Sequence, residues 1–343
     1  MINYFVSLPP AILQGMIWGI MAIGVYLTYR ILDVADLTVD GSICTGMAVC
    51  AVLVVKFNCP LWLALLAALA AGMLAGLCTG LFHTVLGIPA ILSGILTQLM
   101  LWSVNIKIMG GTSNVGYPFN FSSFLSYDKA GALELVNKVT GWLSISLSGT
   151  VKNYLADVLK VIPAMFFVGL IIAVVIAVLY WFFGTEFGAC IRATGCNLEM
   201  SRAQGINTDR NKVIGLVISN GIVAFAGGVL SLFLGFSDAN AGRGAIVIGL
   251  AAVIIGEALF SKLAKDNFAI KLSSVVVGGM IYYIVYQTII SLKIDTNYLK
   301  LFSALLVGLA LGVPYLKNKY AGKFKKKEKT SVQKNAEGGN DNA

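Results

Sequence analysis

What most constrains this chain is the recurrence of long apolar runs. They stand near residues 11–30, 42–56, 61–82, 88–108, 161–183, 211–235, 244–260, 268–291 and 299–316. A helix needs about 20 apolar residues to cross the hydrocarbon core of a bilayer, and fewer where it is broken or buried in protein. In lipid every backbone amide must be satisfied within its own segment or by a neighbouring one. The runs therefore predict an all-α, polytopic membrane helix bundle of about nine spans, the second of them short and broken. Composition agrees: 58% of residues are hydrophobic, 12% are charged, and the mean hydropathy is +0.84. Such a chain cannot cover a water-soluble fold with polar groups.

The polar stretches between the runs set the topology. Residues 1–316 read as one transmembrane domain, with residues 109–160 as an extracytoplasmic loop and 184–211 as a cytoplasmic one. Residues 317–343 read as a basic, disordered cytoplasmic tail. The formal net charge is +9, and the tail carries Lys317, Lys319, Lys323, Lys325, Lys326, Lys327, Lys329 and Lys334 against Glu328, Glu337 and Asp341. Lysine and arginine favour the inner side, which puts this tail, Lys262, Lys265 and the 184–211 stretch inside and the N-terminus outside. The N-terminal MINYFVSLPPAILQGMIWG has no basic region before its apolar residues, so the first run is expected to be retained as a span. No aromatic or glycine-rich recognition pattern accompanies the lysines. The tail thus suits the lipid bilayer surface rather than nucleic acid.

Two runs are interrupted in matching ways. DVADLTVDGS leads into the second and FSDANAGRGA into the seventh, at opposite membrane faces in this topology. Paired, interrupted spans point to an inverted repeat and to a transport path. The candidate path residues are Asp36, Thr38, Asp40, Ser42, Asp238 and Asn240, with Thr97 and Gln98 from the fourth run. Each has an ordinary alternative. Both breaks suit plain interfacial loops, and Asp33, Asp36 and Asp40 suit helix N-termini as caps. Thr97 and Gln98 suit hydrogen bonds to a neighbouring helix, and Glu257 suits a pair with Lys262. Gly72, Gly76 and Gly80, like Gly15 and Gly19, form small-residue stripes that allow close helix packing.

Chemistry-bearing motifs are few. No phosphate loop of the G-x-x-x-x-G-K-[ST] form is present, so ATP would need a separate chain. The single histidine, His83, reads as a loop residue between spans. The six cysteines lie in apolar runs, in the cytoplasmic stretch, or alone near the outer surface at Cys59. We therefore assign no metal, no cofactor and no catalytic residue.

The polar stretch from Gly184 to Lys212, GTEFGACIRATGCNLEMSRAQGINTDRNK, is punctuated for two short helices. Thr185 can cap the first, which would run to about Thr194 and close at Gly195. Asn197 can cap the second, LEMSRAQ, and Gly205 can close it; Asn207 or Thr208 would start the next span. An ordinary inter-span loop is the alternative. Against it, the second helix sets Leu198 and Met200 among Glu199, Arg202 and Gln204, a small apolar surface with a polar surround.

Gly188, Arg192, Ala193, Gly195, Asn197, Ser201, Gly205, Ile206 and Asn207 form a run that resembles the cytoplasmic coupling loop of bacterial ABC-importer permeases of the branched-chain amino-acid and ribose type. Ser201 departs from the alanine of that pattern. DLTVDGS at 36–42 and GIPAILSGILTQLMLWSVNIKIMGG at 87–111 resemble two further stretches of the same family, in the same order. The run YLTYRILDVADLTVDGS is most similar to a sub-group associated with amino acids, including aromatic ones.

The resemblance implies a permease subunit in a bacterial plasma membrane, working by alternating access. Its partners would be an ATP-binding subunit inside, an extracytoplasmic solute-binding protein outside, and a second copy of the chain, since one chain holds one bundle. The residues implied in ATPase coupling are Arg192, Gly195, Asn197, Leu198, Glu199, Met200, Arg202, Ala203 and Gly205. Amino acids are the first expectation for the solute, with sugars or nucleosides next. An ion-coupled secondary transporter and a membrane scaffold are the competing classes.

Overall fold

Helices account for nearly all of the regular structure because the apolar runs leave the backbone no other way to satisfy its amides. The computed structural model describes residues 2–117, 158–159, 161–260, 267–292 and scattered helical positions between 301 and 312. Side chains are described from Ser7 onward. Most of residues 109–160, residues 261–266, the ninth run and the basic tail lie wholly or largely outside these residues.

Helix α1 spans Ile2–Tyr26 and runs into a π-helical turn at Leu27–Ile31. It is followed by α2 (Val39–Val55), α3 (Leu61–Thr84) and α4 (Ala90–Ile108). A three-residue strand β1 (Asn114–Gly116) comes next, then α5 (Ile162–Phe183), α6 (Glu186–Cys196) and α7 (Leu198–Ala203). The chain continues through α8 (Thr208–Leu234), strand β2 (Phe236–Asp238), α9 (Ala245–Phe260) and α10 (Phe268–Ser291). Six of these helices are long and apolar enough to cross a membrane; α2 and α9 are shorter apolar helices. Of the nine expected runs, the first eight stand as apolar helices among the described residues, six of them long enough to cross a membrane, and the ninth lies largely outside those residues. His83 sits in the last turn of α3, not in a loop. Its Nδ1 faces the Ile88 carbonyl at 2.9 Å.

The packing repeats itself. Helix α3 lies along α8, as α10 lies along α1. Helix α2 contacts α3 and α8, and α9 contacts α10 and α1 in the corresponding way. Each half therefore reads long helix, break, short helix, long helix. The halves run in opposite senses: Gly24 meets Ser219 and Val223, whereas Leu32, further along, meets Gly215. This is the inverted arrangement anticipated from the paired breaks.

Small residues make the long contacts possible. A Cβ at Gly76 would run into the Leu216 carbonyl of α8, and one at Gly15 would lie 2.7 Å from the Met280 Cα of α10. Backbones this close gain dispersion over a wide seam, which is what holds helices together where lipid removes the hydrophobic drive. The central pair α1 and α8 is mostly buried. Helices α4 and α5 present Leu92, Leu99, Phe166 and Trp181 outward.

Candidate functional site

The first break leaves the π-turn after Ile31 as a non-helical run and becomes helical only at Val39. Unpaired backbone at this depth must find partners in protein. Asp36 supplies them. Its carboxylate is 2% exposed, and it accepts the Thr38 amide at 2.9 Å and the Asn220 side-chain nitrogen of α8 at 2.7 Å. Ser42 donates to the Asn220 oxygen at 2.6 Å, and the Thr38 and Thr79 hydroxyls pair at 2.7 Å. Asp36, Thr38 and Ser42 are thus bound to protein on every described side.

The second break repeats the local chemistry. Asp238 accepts the Asn240 amide at 2.9 Å, the same two-residue turn that Asp36 makes with Thr38. Strands β1 and β2 pair antiparallel just before it, with Val115 opposite Ser237, and tie this break to the C-terminal end of α4. Ala48, Met109 and Ala239 bury a small apolar cluster behind the pair. Nearby, the Tyr117 hydroxyl lies 2.9 Å from Ser231 Oγ, and burial pushes the phenol above its ordinary value, so it stays a neutral partner.

The two breaks meet. Asp40 stands in the first turn of α2, and its two oxygens accept the Gly244 amide at 3.0 Å and the Ile246 amide at 2.9 Å at the start of α9. The Gly242 amide donates to Cys44 Sγ at 3.1 Å. Two helix N-termini, each carrying partial positive charge, therefore approach one another around a single carboxylate. The expectation that Asp40 could cap a helix holds in an unexpected form: the helix it caps belongs to the other half.

Beside this junction lies a pocket of about 260 Å³. It is bounded by Asp40, Gly41 and Cys44 of α2, by Gln98, Leu99, Trp102 and Asn105 of α4, and by Ala239 and Arg243 of the second break. Of the residues named from sequence, it brings together Asp40 and Gln98. Asp36, Thr38, Ser42, Asp238 and Asn240 lie off it. So does Thr97, whose hydroxyl bonds the Ser93 carbonyl of its own helix at 3.0 Å. Sequence reasoning passed over Asn105, Trp102, Arg243 and Asn220. A signal existed for the first: Gln98, Trp102 and Asn105 recur at helical spacing along one face.

The 184–212 stretch folds largely as its punctuation foretells. Thr185 Oγ1 accepts the Gly188 amide at 3.4 Å, Asn197 Oδ1 accepts the Met200 amide at 3.0 Å, and Asn207 Oδ1 accepts the Arg210 amide at 3.0 Å. Gly205 ends the second short helix with φ +81°. The Ile206 amide closes that end on the Ser201 carbonyl at 3.1 Å. Gly195 is a correction. It lies inside α6, which continues to Cys196, and a Cβ there would run into the Ile31 carbonyl. Its role is to let α6 rest directly on the π-turn.

Helix α7 is braced against the start of α8. Arg202 donates from Nε to Thr208 Oγ1 at 3.0 Å and pairs with Asp209 at 3.5 Å and Glu199 at 3.8 Å. Ser201 is buried, while Glu199, Met200, Arg202, Ala203 and, on α6, Arg192 are exposed; Met200 is 58% exposed. Leu198 is half-buried and borders a cleft of about 520 Å³, with His83, Lys212 and Asn197 on its walls. Glu257 pairs with Arg30 at 3.1 Å, a link between α9 and the π-turn, and the expected partner Lys262 lies outside the described residues.

Residues 10–311 match the family described as branched-chain amino acid transport system / permease component. The tyrosine transport system permease protein of Clostridioides difficile (strain R20291) is 34% identical over 296 residues, 86% of either chain. An uncharacterized protein of Rickettsia prowazekii (strain Madrid E) is 29% identical over 304 residues, 88% of this chain and 95% of that one. An autoinducer 2 import system permease protein of Yersinia pestis (strain Pestoides F) is 26% identical over 242 residues, 69% of this chain and 58% of that one. No solved structure gives a significant match. The chain belongs to the branched-chain amino acid transport permease family, whose members are membrane-embedded transport subunits and not enzymes.

Proposed function

We propose that this member of the branched-chain amino acid permease family is the translocating subunit of an ATP-driven importer for amino acids, aromatic ones such as tyrosine included. The observation that carries the coupling half of this reading is α7. It is a six-residue helix with a capped start, a left-handed glycine end and an arginine brace to the start of α8, yet it leaves Met200 and Ala203 exposed. A helix so firmly held and so openly presented suits docking into a groove on a separate ATPase. Arg192, Leu198 and Glu199 would line that contact, with Gly195, Asn197, Arg202 and Gly205 holding its shape. The amino-acid half is supported by the likeness to the tyrosine permease.

In this reading two copies of the chain enclose a path, an extracytoplasmic binding protein delivers the solute, and ATP-driven closure of the ATPases moves α7. The complex sits in a bacterial plasma membrane with the tail of this chain inside. The force leaves α7 through α6, reaches the π-turn where Gly195 meets Ile31, and so arrives at the first break. The path residues Asp36, Thr38, Asp40, Ser42, Thr97, Gln98, Asp238 and Asn240 then divide. Asp40 and Gln98 face the pocket, and the others lie off it.

The test is reconstitution in proteoliposomes with the ATPase and binding protein encoded beside this gene. ATP-dependent accumulation of tyrosine or another amino acid is the expected result. Accumulation of a sugar or nucleoside alone would overturn the amino-acid assignment. Uptake driven by an ion gradient without the ATPase would overturn the importer assignment itself.

A further inference from the structure

Asn105 of α4 is an unusual residue for its place. Its side chain is fully buried, and neither its amide oxygen nor its nitrogen has a hydrogen-bond partner among the described residues. A buried amide left unpaired costs free energy, so one that persists calls for a partner that is not part of the fold. Asn105 borders the 260 Å³ pocket, together with Gln98 and Trp102 from the same helix face and Arg243 from the second break. Asp40 stands on the same wall with its oxygens turned to the first amides of α9.

The electrostatics narrow the occupant. Two helix N-termini converge here, and Asp40 answers them with one carboxylate. Arg243 adds a full positive charge at the mouth, and the paired donors of a guanidinium match a carboxylate. Gln98 and Asn105 add amide groups that can donate to or accept from a ligand. Trp102 offers an apolar face that is 44% exposed.

We propose that this pocket is a subsite within the permease that holds an α-amino acid as its zwitterion. The Arg243 guanidinium and the Asn105 amide nitrogen donate to the carboxylate. The Asn105 and Gln98 carbonyl oxygens accept from the ammonium group, with the Asp40 carboxylate nearby. Trp102 borders the side chain. The inference rests on the permease reading and deepens it: the permease itself recognises the amino-acid backbone and does not merely open for whatever a binding protein delivers.

The test uses the full-length chain in lipid nanodiscs and three probes: L-phenylalanine, 3-phenylpropanoate, which lacks the ammonium, and phenethylamine, which lacks the carboxylate. L-Phenylalanine should bind, and each of the other two should bind at least about tenfold more weakly, as expected when buried polar groups are left unpaired. Arg243→Gln should erase the preference over phenethylamine, and Arg243→Lys should restore part of it. Asn105→Leu should lower affinity at least about tenfold while raising the melting temperature of the ligand-free protein, because it removes the unpaired amide. A purely packing role for Asn105 predicts no such opposition.

Absence of L-phenylalanine binding, or equal binding of all three probes, overturns the proposal. So does unchanged affinity in both Asn105→Leu and Arg243→Gln. Should Asn105→Leu fail to fold, Arg243→Gln decides, since that side chain is exposed. Uptake by the assembled importer separates the two readings. ATP-driven uptake without carboxylate-dependent binding removes the subsite alone, and carboxylate-dependent binding without ATP-driven uptake removes the importer reading alone.

Discussion

The elbow of α6 and α7 and the paired breaks at the heart of the bundle are both polar, and they use their polar residues in opposite ways. In the elbow, side-chain oxygens of Thr185, Asn197 and Asn207 cap the helix each one begins, and the outward surface of α7 is left over. At the breaks, Asp36, Asp40 and Ser42 bond across to α8 and α9, and little is left over except one pocket wall. The contrast follows from solvent. Water satisfies an exposed helix end cheaply, so caps in the elbow need only be local. At membrane depth a backbone without helical partners must recruit carboxylates from wherever the fold can bring them.

If that contrast is right, substitutions should sort by region. The largest effect belongs to Asp36→Ala, which orphans the Thr38 amide and leaves the Asn220 side-chain nitrogen only the Leu216 carbonyl. At about 1–3 kcal/mol for an unmet buried donor and about 1 kcal/mol for the second bond lost, the loss should total roughly 2–4 kcal/mol and appear as a steep fall in the melting temperature of detergent-purified protein. Full thermal stability with abolished uptake would instead make Asp36 a solute contact. Asp40→Ala comes next, at about 1–2 kcal/mol for a lost helix cap. Hydrogen exchange should quicken specifically at the start of α9, around residues 244–248. Uniform exchange would dissolve the idea that one half caps the other.

Gly205→Val should cost about 1–2 kcal/mol locally, because a left-handed φ suits glycine. The bundle should melt unchanged while ATP-driven uptake falls at least about tenfold. Retained uptake would reduce the elbow to a loop. The smallest stability effect is expected of Met200→Ala, within about 0.5 kcal/mol, as for other surface changes. Its readout is weaker co-purification of the ATPase. An undiminished complex would take Met200 out of the docking surface.

Legibility in the sequence followed the same divide. Caps at Thr185, Asn197, Asn207 and Gly205 could be read because each acts within three or four residues of itself. Gly195 was misread for the complementary reason: its constraint is the Ile31 carbonyl, far off in sequence, and a glycine before an asparagine looks like a helix end. The paired breaks were visible as Asp- and Gly-bearing interruptions, and their convergence fits the inverted repeat. That Asp40 would serve the opposite half was not visible, since capping signals are read forward along the same chain. Asn105 and Asn220 were missed because one amide in a long apolar helix barely perturbs its periodicity, although each is fully buried. The Arg30 partner of Glu257 was not visible either, because the fold brings it from the other half.

The seat of Gly195 on the Ile31 carbonyl has one more implication, for timing. Main chain rests on main chain there, with no rotatable group between them, so the joint has almost no slack to take up. A displacement delivered at Met200 would reach the π-turn through a rigid linkage, much as a gear train without backlash reverses the moment its driver does. Gly195→Ala would pry that joint apart. The inner end of the bundle would then lag behind its motor, spending ATP at an undiminished rate while moving less cargo per turnover.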